Sequence, residues 1–95
     1  MDFGTVPSHL TDLAVRAAKP SPTRSKLNDG FGLYLLEMPG DSKHWRFDYR
    51  FAGARRTLTI GPYTLFGLQQ AREERDKARL LLREGADPAE LRKLG

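Results

Sequence analysis

Cysteine is absent from this chain of 95 residues, which excludes disulfide bridges and thiolate metal sites. The two histidines, His9 and His44, are too far apart in sequence to predict a metal site. Apolar runs extend over only a few residues, so no segment is long enough for a membrane-spanning helix. The first residues, MDFGTVPSHL, lack the basic and apolar regions of a secretory signal. These absences predict a soluble, cytoplasmic protein, and we expect neither a metal nor another cofactor.

The excess of positive charge is local. The chain carries 16 Lys and Arg residues against 12 Asp and Glu residues, a formal net charge of +4. Between Lys43 and Arg56 there are five cations and one anion, so this segment alone accounts for the excess. Clustered cations on one element are typical of nucleic-acid binders. The alternative is that a basic strand face only blocks edge-to-edge aggregation.

The segment KHWRFDYRFAGARRTLTI, from Lys43 to Ile60, alternates with the period of a half-buried β-strand. One face of its first half is aromatic: Trp45, Phe47, Tyr49, Phe51. Ala52-Gly53 or Gly53-Ala54 fits a two-residue hairpin turn, after which Leu58 and Ile60 rejoin the aromatic face. The predicted hairpin has an apolar face and a basic, hydroxyl-bearing face that suits a polyanion.

Further elements flank the hairpin. Thr11 is predicted to cap a short helix, Asp12 to Ala18. Leu27-Asn28-Asp29-Gly30 is predicted as a tight turn, and Leu33 to Met38 as a strand that is apolar on both faces. A long amphipathic helix follows from Gly67 to about Glu84. The sequence therefore predicts an α+β fold: a three-stranded antiparallel sheet packed on one long C-terminal helix, with a short N-terminal helix.

No constellation of residues indicates catalysis. Five carboxylates lie beside cations on surfaces expected to be solvated, so none of them is predicted to have the raised pKa of a catalytic acid: Asp41, Asp48, Glu73, Glu74 and Asp76. The segment from Asp29 to Gly32 is rich in glycine but lacks the Lys-Ser/Thr ending of a phosphate-binding loop. Asp48 is expected to orient Arg46 and Arg50, or to accept a hydrogen bond from a cytosine amine. We therefore do not expect an enzyme.

Three blocks carry a family resemblance: LTDLAVRAAKP, KLNDGFGLYLLEMPGDSKHWRFDYRFAGARRTLTIGPY and QQAREERDKARLLLREGADP. They resemble the amino-terminal arm-type DNA-binding domain of prophage and genomic-island tyrosine integrases, over about Leu10 to Lys93. The resemblance implies a three-stranded sheet whose face enters the major groove of arm-type sites beside the attachment-site core. It also implies that the catalytic tyrosine belongs to another domain, so that this chain cuts nothing. Ala52 departs from the family, which often has asparagine there.

The resemblance also implies which residues bind DNA. Outward strand positions and their flanks are the candidates, with His44 added from its place on the polar strand face: Arg46, Asp48, Arg50, Arg55, Thr57, Thr59, Lys43, His44, Lys26, Asn28. Arg46 and Arg50 suit bidentate contacts with guanine, and the two threonines suit thymine methyls or phosphate. Arg55 and Lys43, which lie near turns, suit backbone phosphates.

The expected organisation is a flexible N-terminus at residues 1–9, the binding domain at residues 10–86, and at residues 87–95 the start of a linker to an absent core-binding and catalytic region. The expected partner is double-stranded DNA of attachment-site arms, with integrase protomers or accessory DNA-bending proteins as further partners and no membrane. The protein is expected in the bacterial cytoplasm, associated with the nucleoid when bound to DNA. Alternatively, the long helix docks integrase protomers or accessory factors as a protein–protein module. A third possibility is structured RNA.

Overall fold

The computed structural model describes residues 10–17, 25–39 and 42–94. The flexible segment predicted for residues 1–9 lies outside these ranges. The elements are α1 (Asp12–Ala17), β1 (Ser25–Gly30), β2 (Leu33–Met38), β3 (Ser42–Phe51), β4 (Ala54–Pro62), α2 (Leu68–Arg83) and α3 (Pro88–Leu94). The fold is α+β, with α1 and α2 contributing to a core on one face of an antiparallel sheet. In the described part of the chain, no helix is both long and apolar enough to cross a bilayer.

The sheet has four strands in the order β1-β2-β3-β4, so the prediction of three strands was wrong. The additional strand is β1, whose residues from Leu27 onward were predicted as a turn. Leu27 pairs with Leu35, and the chain turns only after Gly30, at Phe31-Gly32. β2 lies between β1 and β3, so its backbone is paired on both sides. That pairing overrides the local turn preference of Asn28 and its neighbours.

The hairpin of β3 and β4 has the predicted faces. Its turn is Ala52-Gly53, with φ values of 53° and 80°, and two positive angles in a two-residue turn match the twist of the flanking strands. Phe47 pairs directly with Leu58, and Ile60 is 1% exposed. The aromatic residues therefore face the helices, as the alternation predicts.

The core lies between this aromatic face and the helices. Trp45 is fully buried, and its indole N–H donates to the carbonyl of Phe66 at 2.7 Å. α2 contributes a buried stripe in which Ala71 and Ala78, 0% and 2% exposed, allow close approach to the sheet. The cap predicted for α1 is present, since Thr11 Oγ1 accepts from the Ala14 N–H at 3.1 Å.

A buried carboxylate joins the sheet to α2. Asp29 is 0% exposed and forms a bidentate pair with Arg72, at 2.9 and 2.8 Å. Arg75, itself 5% exposed, donates to Asp29 at 3.2 Å, and the Leu10 N–H donates at 3.0 Å. Burial opposes ionisation of this carboxyl, but the hydrogen bonds and positive charges around it outweigh burial and lower the pKa of Asp29.

A second carboxylate joins the sheet to α3. Asp87 accepts from the Ala89 N–H at 3.1 Å and from the Tyr49 hydroxyl, and it lies 3.4 Å from Arg56 Nε. Burial, followed by the bond to Asp87, raises the pKa of Tyr49 to about 12. Arg92 of α3 also donates to two β4 carbonyls at 2.9 and 2.8 Å. The first turn of α3 is therefore fixed against the hairpin.

Candidate nucleic-acid interface

The face of the sheet turned away from α2 carries polar residues from all four strands. Cross-strand partners lie on the same face of a sheet, so the register identifies its members. We refer to it as the outer face: Lys26, Asn28, Tyr34, Leu36, His44, Arg46, Asp48, Arg50, Arg55, Thr57, Thr59. The structure thus brings nine of the ten candidate residues together on one surface.

One row of the outer face crosses the whole sheet. Asn28 pairs with Tyr34, Tyr34 with Arg46, and Arg46 with Thr59. Arg46 is half-buried in this row, whereas Thr59 at its end is exposed. The side chain of Arg46 is therefore partly enclosed by its neighbours in this row.

Two arginines face each other at the free end of the hairpin. Arg50 and Arg55 are direct register partners, and both are exposed. Within the described ranges, no hydrogen bond or ion pair engages either guanidinium. Like charges placed directly opposite destabilise a strand pair. This pair is therefore suited to an anion that neutralises both charges.

Asp48 lies between Arg46 and Arg50 along the outer face of β3, but it pairs with neither of them. Its Oδ1 accepts from the Thr57 hydroxyl at 2.7 Å and from the Tyr34 hydroxyl at 3.1 Å. The predicted orientation of the two guanidinium groups by Asp48 is therefore not seen.

The second oxygen of Asp48 faces a lysine. Asp48 Oδ2 lies 3.9 Å from Lys26 Nζ, and that ammonium also lies 4.4 Å from the centre of the Tyr34 ring. Burial, followed by the charge of Asp48, raises the pKa of Tyr34, so this hydroxyl keeps its proton at neutral pH.

Lys43 is the candidate residue that the structure does not bring to the outer face. Its ammonium donates to the carbonyl of Val15 at 3.4 Å and lies 5.7 Å from the centre of the Tyr63 ring. The reason is the period of the strand: Lys43 is in phase with Trp45, not with Arg46. The alternation that predicted the hairpin therefore also predicts that Lys43 lies on the helix side.

Arg56 belongs to the cluster of cations seen in the sequence, but like Lys43 it does not lie on the outer face. It pairs with Tyr49 on the helix side of the hairpin and reaches Asp87. Conversely, Tyr34 was missed as an outer-face residue, although its place in β2 between inward-facing Leu33 and Leu35 was the signal for it.

Comparison with known proteins identifies the family of this chain. The family model described as an arm DNA-binding domain matches residues 10–94. The integrase of Shigella phage Sf6 is 38% identical over 84 residues, which are 88% of this chain and 22% of that protein. Prophage integrase IntZ of Escherichia coli (strain K12) is 39% identical over 83 residues, or 85% of this chain and 21% of the relative.

A third relative has the same relationship. The integrase of Enterobacteria phage P4 is 40% identical over 81 residues, which are 83% of this chain and 18% of that protein. The chain thus spans about a fifth of the length of these relatives. Since the family model covers nearly the whole chain, this chain belongs to the arm DNA-binding domain family.

Proposed function

We propose that this chain binds double-stranded DNA at arm-type attachment sites through its outer face, as the N-terminal domain of a phage-type tyrosine integrase. The family and the integrase relatives support the DNA target. The cations on the outer face support the choice of that face as the DNA-binding surface. In this proposal the protein acts in the bacterial cytoplasm and is associated with the nucleoid when bound.

The observation that carries the proposal is the unneutralised pair of Arg50 and Arg55 at the end of the hairpin. The pairing of β3 with β2 ends near Asp48, whose N–H donates to the carbonyl of Gly32. Beyond that point the hairpin is a ribbon of two strands. The major groove of B-DNA, about 12 Å wide, admits a two-stranded ribbon, and strands in a ribbon lie about 4.8 Å apart.

Roles for individual residues follow from their positions. Arg46 and Arg50, which lie four residues apart on one face of β3, suit bidentate contacts with guanine. Arg55, beside the turn, suits a phosphate. The other outer-face candidates, of which the two threonines suit thymine methyls or phosphate, complete the surface: Thr57, Thr59, His44, Lys26, Asn28. Lys43 is not part of it.

In the proposed full-length protein, different regions bind the arm sites and cleave the DNA. This chain holds the arm sites, and strand cleavage belongs to the remaining four-fifths or so of a protein of the relatives' length. Residues 10–86 would form the binding unit, and residues 87–95 would begin the connection to the core-binding and catalytic regions. The fixing of α3 to the hairpin supports a defined direction for that connection.

Contacts with other integrase protomers or accessory DNA-bending proteins form a second candidate function. Leu80 on α2 and Leu91 on α3 are 54% and 43% exposed, and both helices lie away from the outer face. The two functions therefore do not compete for surface. Sedimentation without DNA tests this candidate: self-association that grows with concentration supports contacts between protomers, and a monomer at high concentration opposes them.

Binding to a duplex carrying arm sites, measured over a series of salt concentrations, tests the DNA proposal. Neutralising about four to six phosphates predicts a slope of about −4 to −5 for log affinity against log salt. A slope near zero would contradict the proposal. Competition with duplex RNA separates the DNA target from a structured-RNA target, because the deep, narrow major groove of RNA does not admit the ribbon.

A further inference from the structure

The outer face contains one carboxylate among its members, Asp48. On a surface that meets phosphates, a negative charge is repelled unless it meets a hydrogen-bond donor. Its side chain is 28% exposed, so it is available to a partner. Within the chain the hydroxyls of Tyr34 and Thr57 already donate to this carboxylate, and a donor on the DNA suits the acceptor capacity that remains.

Two hydroxyl groups determine how Asp48 is presented. Tyr34 and Thr57 both donate to Oδ1, so that atom is already engaged. Among the residues that the structure describes, Oδ2 has only a contact of 3.9 Å with Lys26 Nζ, which is longer than a hydrogen bond. The oxygen with unused acceptor capacity is therefore Oδ2. Tyr34, 6% exposed, and Thr57, on the neighbouring strand, hold the carboxylate from its two sides.

The donors that DNA offers in its major groove are the exocyclic amines of cytosine and adenine. The corresponding edges of guanine and thymine carry carbonyl acceptors, which would face the lone pairs of a carboxylate. Asp48 therefore favours an amine at the base that it faces and rejects a carbonyl.

We propose that Asp48 determines sequence specificity by accepting a hydrogen bond at Oδ2 from the exocyclic amine of a cytosine or adenine, with Tyr34 and Thr57 as positioning residues. This inference rests on the proposed function. It assigns Tyr34, a nearly buried member of the outer face, a part in base selection that is distinct from phosphate binding.

Selection of bound duplexes from a randomised library tests the inference, with the wild-type chain compared with Asp48→Ala and Tyr34→Phe. The wild type should exclude carbonyl-bearing bases at one position, and the retained base shows whether cytosine or adenine supplies the amine. Asp48→Ala removes the acceptor and adds no donor, so discrimination at that position should fall by roughly tenfold. Tyr34→Phe should relax the same position to a smaller extent.

A matched control is Glu73→Gln, which removes an exposed carboxylate on α2 and should leave every position unchanged. If Asp48→Ala selects the wild-type sequences, the inference is overturned while the proposed function stands. If the wild type selects no duplex at all, the proposed function fails, and the inference fails with it. If Asp48→Ala does not fold, as judged by circular dichroism, Tyr34→Phe decides: an unchanged preference overturns the inference.

Discussion

Arg50 lies directly opposite Arg55 across the β3–β4 hairpin, with both side chains exposed on the outer face. Two like charges at this spacing oppose folding. The same two charges attract an anion approaching the hairpin end. In the proposed function, the pair lowers the stability of the hairpin slightly and raises its affinity for phosphate.

Arg55→Gln should stabilise the fold and weaken DNA binding together. Removing the repulsion predicts a gain of a few tenths of a kcal/mol, within the range of about 0.2–1 kcal/mol for cross-strand pairs. The gain should disappear at high salt, because exposed charges are screened. Urea unfolding at low and high salt and a duplex titration measure the two effects. Arg83→Gln on α2 is the charge-matched control, and a loss of stability in Arg55→Gln at low salt would contradict the prediction.

Arg46→Ala and Lys43→Ala should separate the two faces of β3. Arg46→Ala should cost on the order of 1–3 kcal/mol in binding and relax base preference, because a bidentate contact with guanine is lost. Lys43→Ala should leave DNA affinity unchanged, since Lys43 contacts Val15 on the helix side. Fluorescence anisotropy with an arm-site duplex measures both. Equal losses in the two variants would show that the proposed face is wrong.

Asp29→Ala should strongly destabilise the fold. It leaves Arg72 and the buried Arg75 without their shared carboxylate, and breaking a buried pair costs about 3–5 kcal/mol. Asp76→Ala is the matched control, because Asp76 also pairs with Arg75 but is 61% exposed. That variant should cost about 0–1 kcal/mol. Urea unfolding decides, and similar losses in both variants would contradict a structural role for the Asp29 pair.

Tyr49→Phe should remove part of the alkaline sensitivity of the fold. The pKa of Tyr49 is raised from 10.0 to about 12 in the folded chain, so the unfolded state loses this proton more readily. Its contribution to stability is therefore complete below pH 10 and is lost as the pH rises towards 12. Urea unfolding from pH 8 to 11 should show a steeper decline for the wild type than for Tyr49→Phe. Parallel declines would contradict the assignment.

At acid pH, the stability of the fold should decrease as the pH falls. The pKa of Asp87 is lowered by its bond from Tyr49, against the effect of burial, and that of Asp29 is lowered by its arginine partners despite burial. The stability that these groups contribute is present above their ordinary pKa of 3.8 and is lost as the pH falls below it. Acid unfolding followed by circular dichroism should begin in this range, and a fold unaffected down to pH 2 would contradict the prediction.

The hairpin and its faces were predictable because alternation is a local property of the chain. Every second residue of a strand points to the same face, so aromatic residues at alternate positions identify the buried side without knowledge of the fold. The same rule placed Arg46 and Arg50 correctly, and it placed Lys43 on the helix side. Applying the rule without exception would have removed Lys43 from the candidates.

β1 and the two buried carboxylates were not predictable from local pattern. Asn28, Asp29 and Gly30 are turn formers, and only pairing with the apolar β2 makes them a strand. The arginine partners of Asp29 are 43 and 46 residues away in sequence, and two partners of Asp87, Tyr49 and Arg56, lie on the hairpin. The one signal in the sequence was Arg75, a cation within the apolar stripe of α2, which needed a buried partner.

Charge-matched variants of the two faces test the central claim most directly. One variant removes three cations of the outer face, at Arg46, Arg50 and Arg55, and the other removes three of α2, at Lys77, Arg79 and Arg83. All are replaced by alanine, so the net charge falls equally in both. Each is titrated with an arm-site duplex over a series of salt concentrations. If the outer face holds DNA, its variant should lose affinity and about 2 to 3 units of salt slope, while the α2 variant keeps the wild-type slope. Equal losses in both variants, or a greater loss from α2, would contradict the claim that the outer face binds DNA.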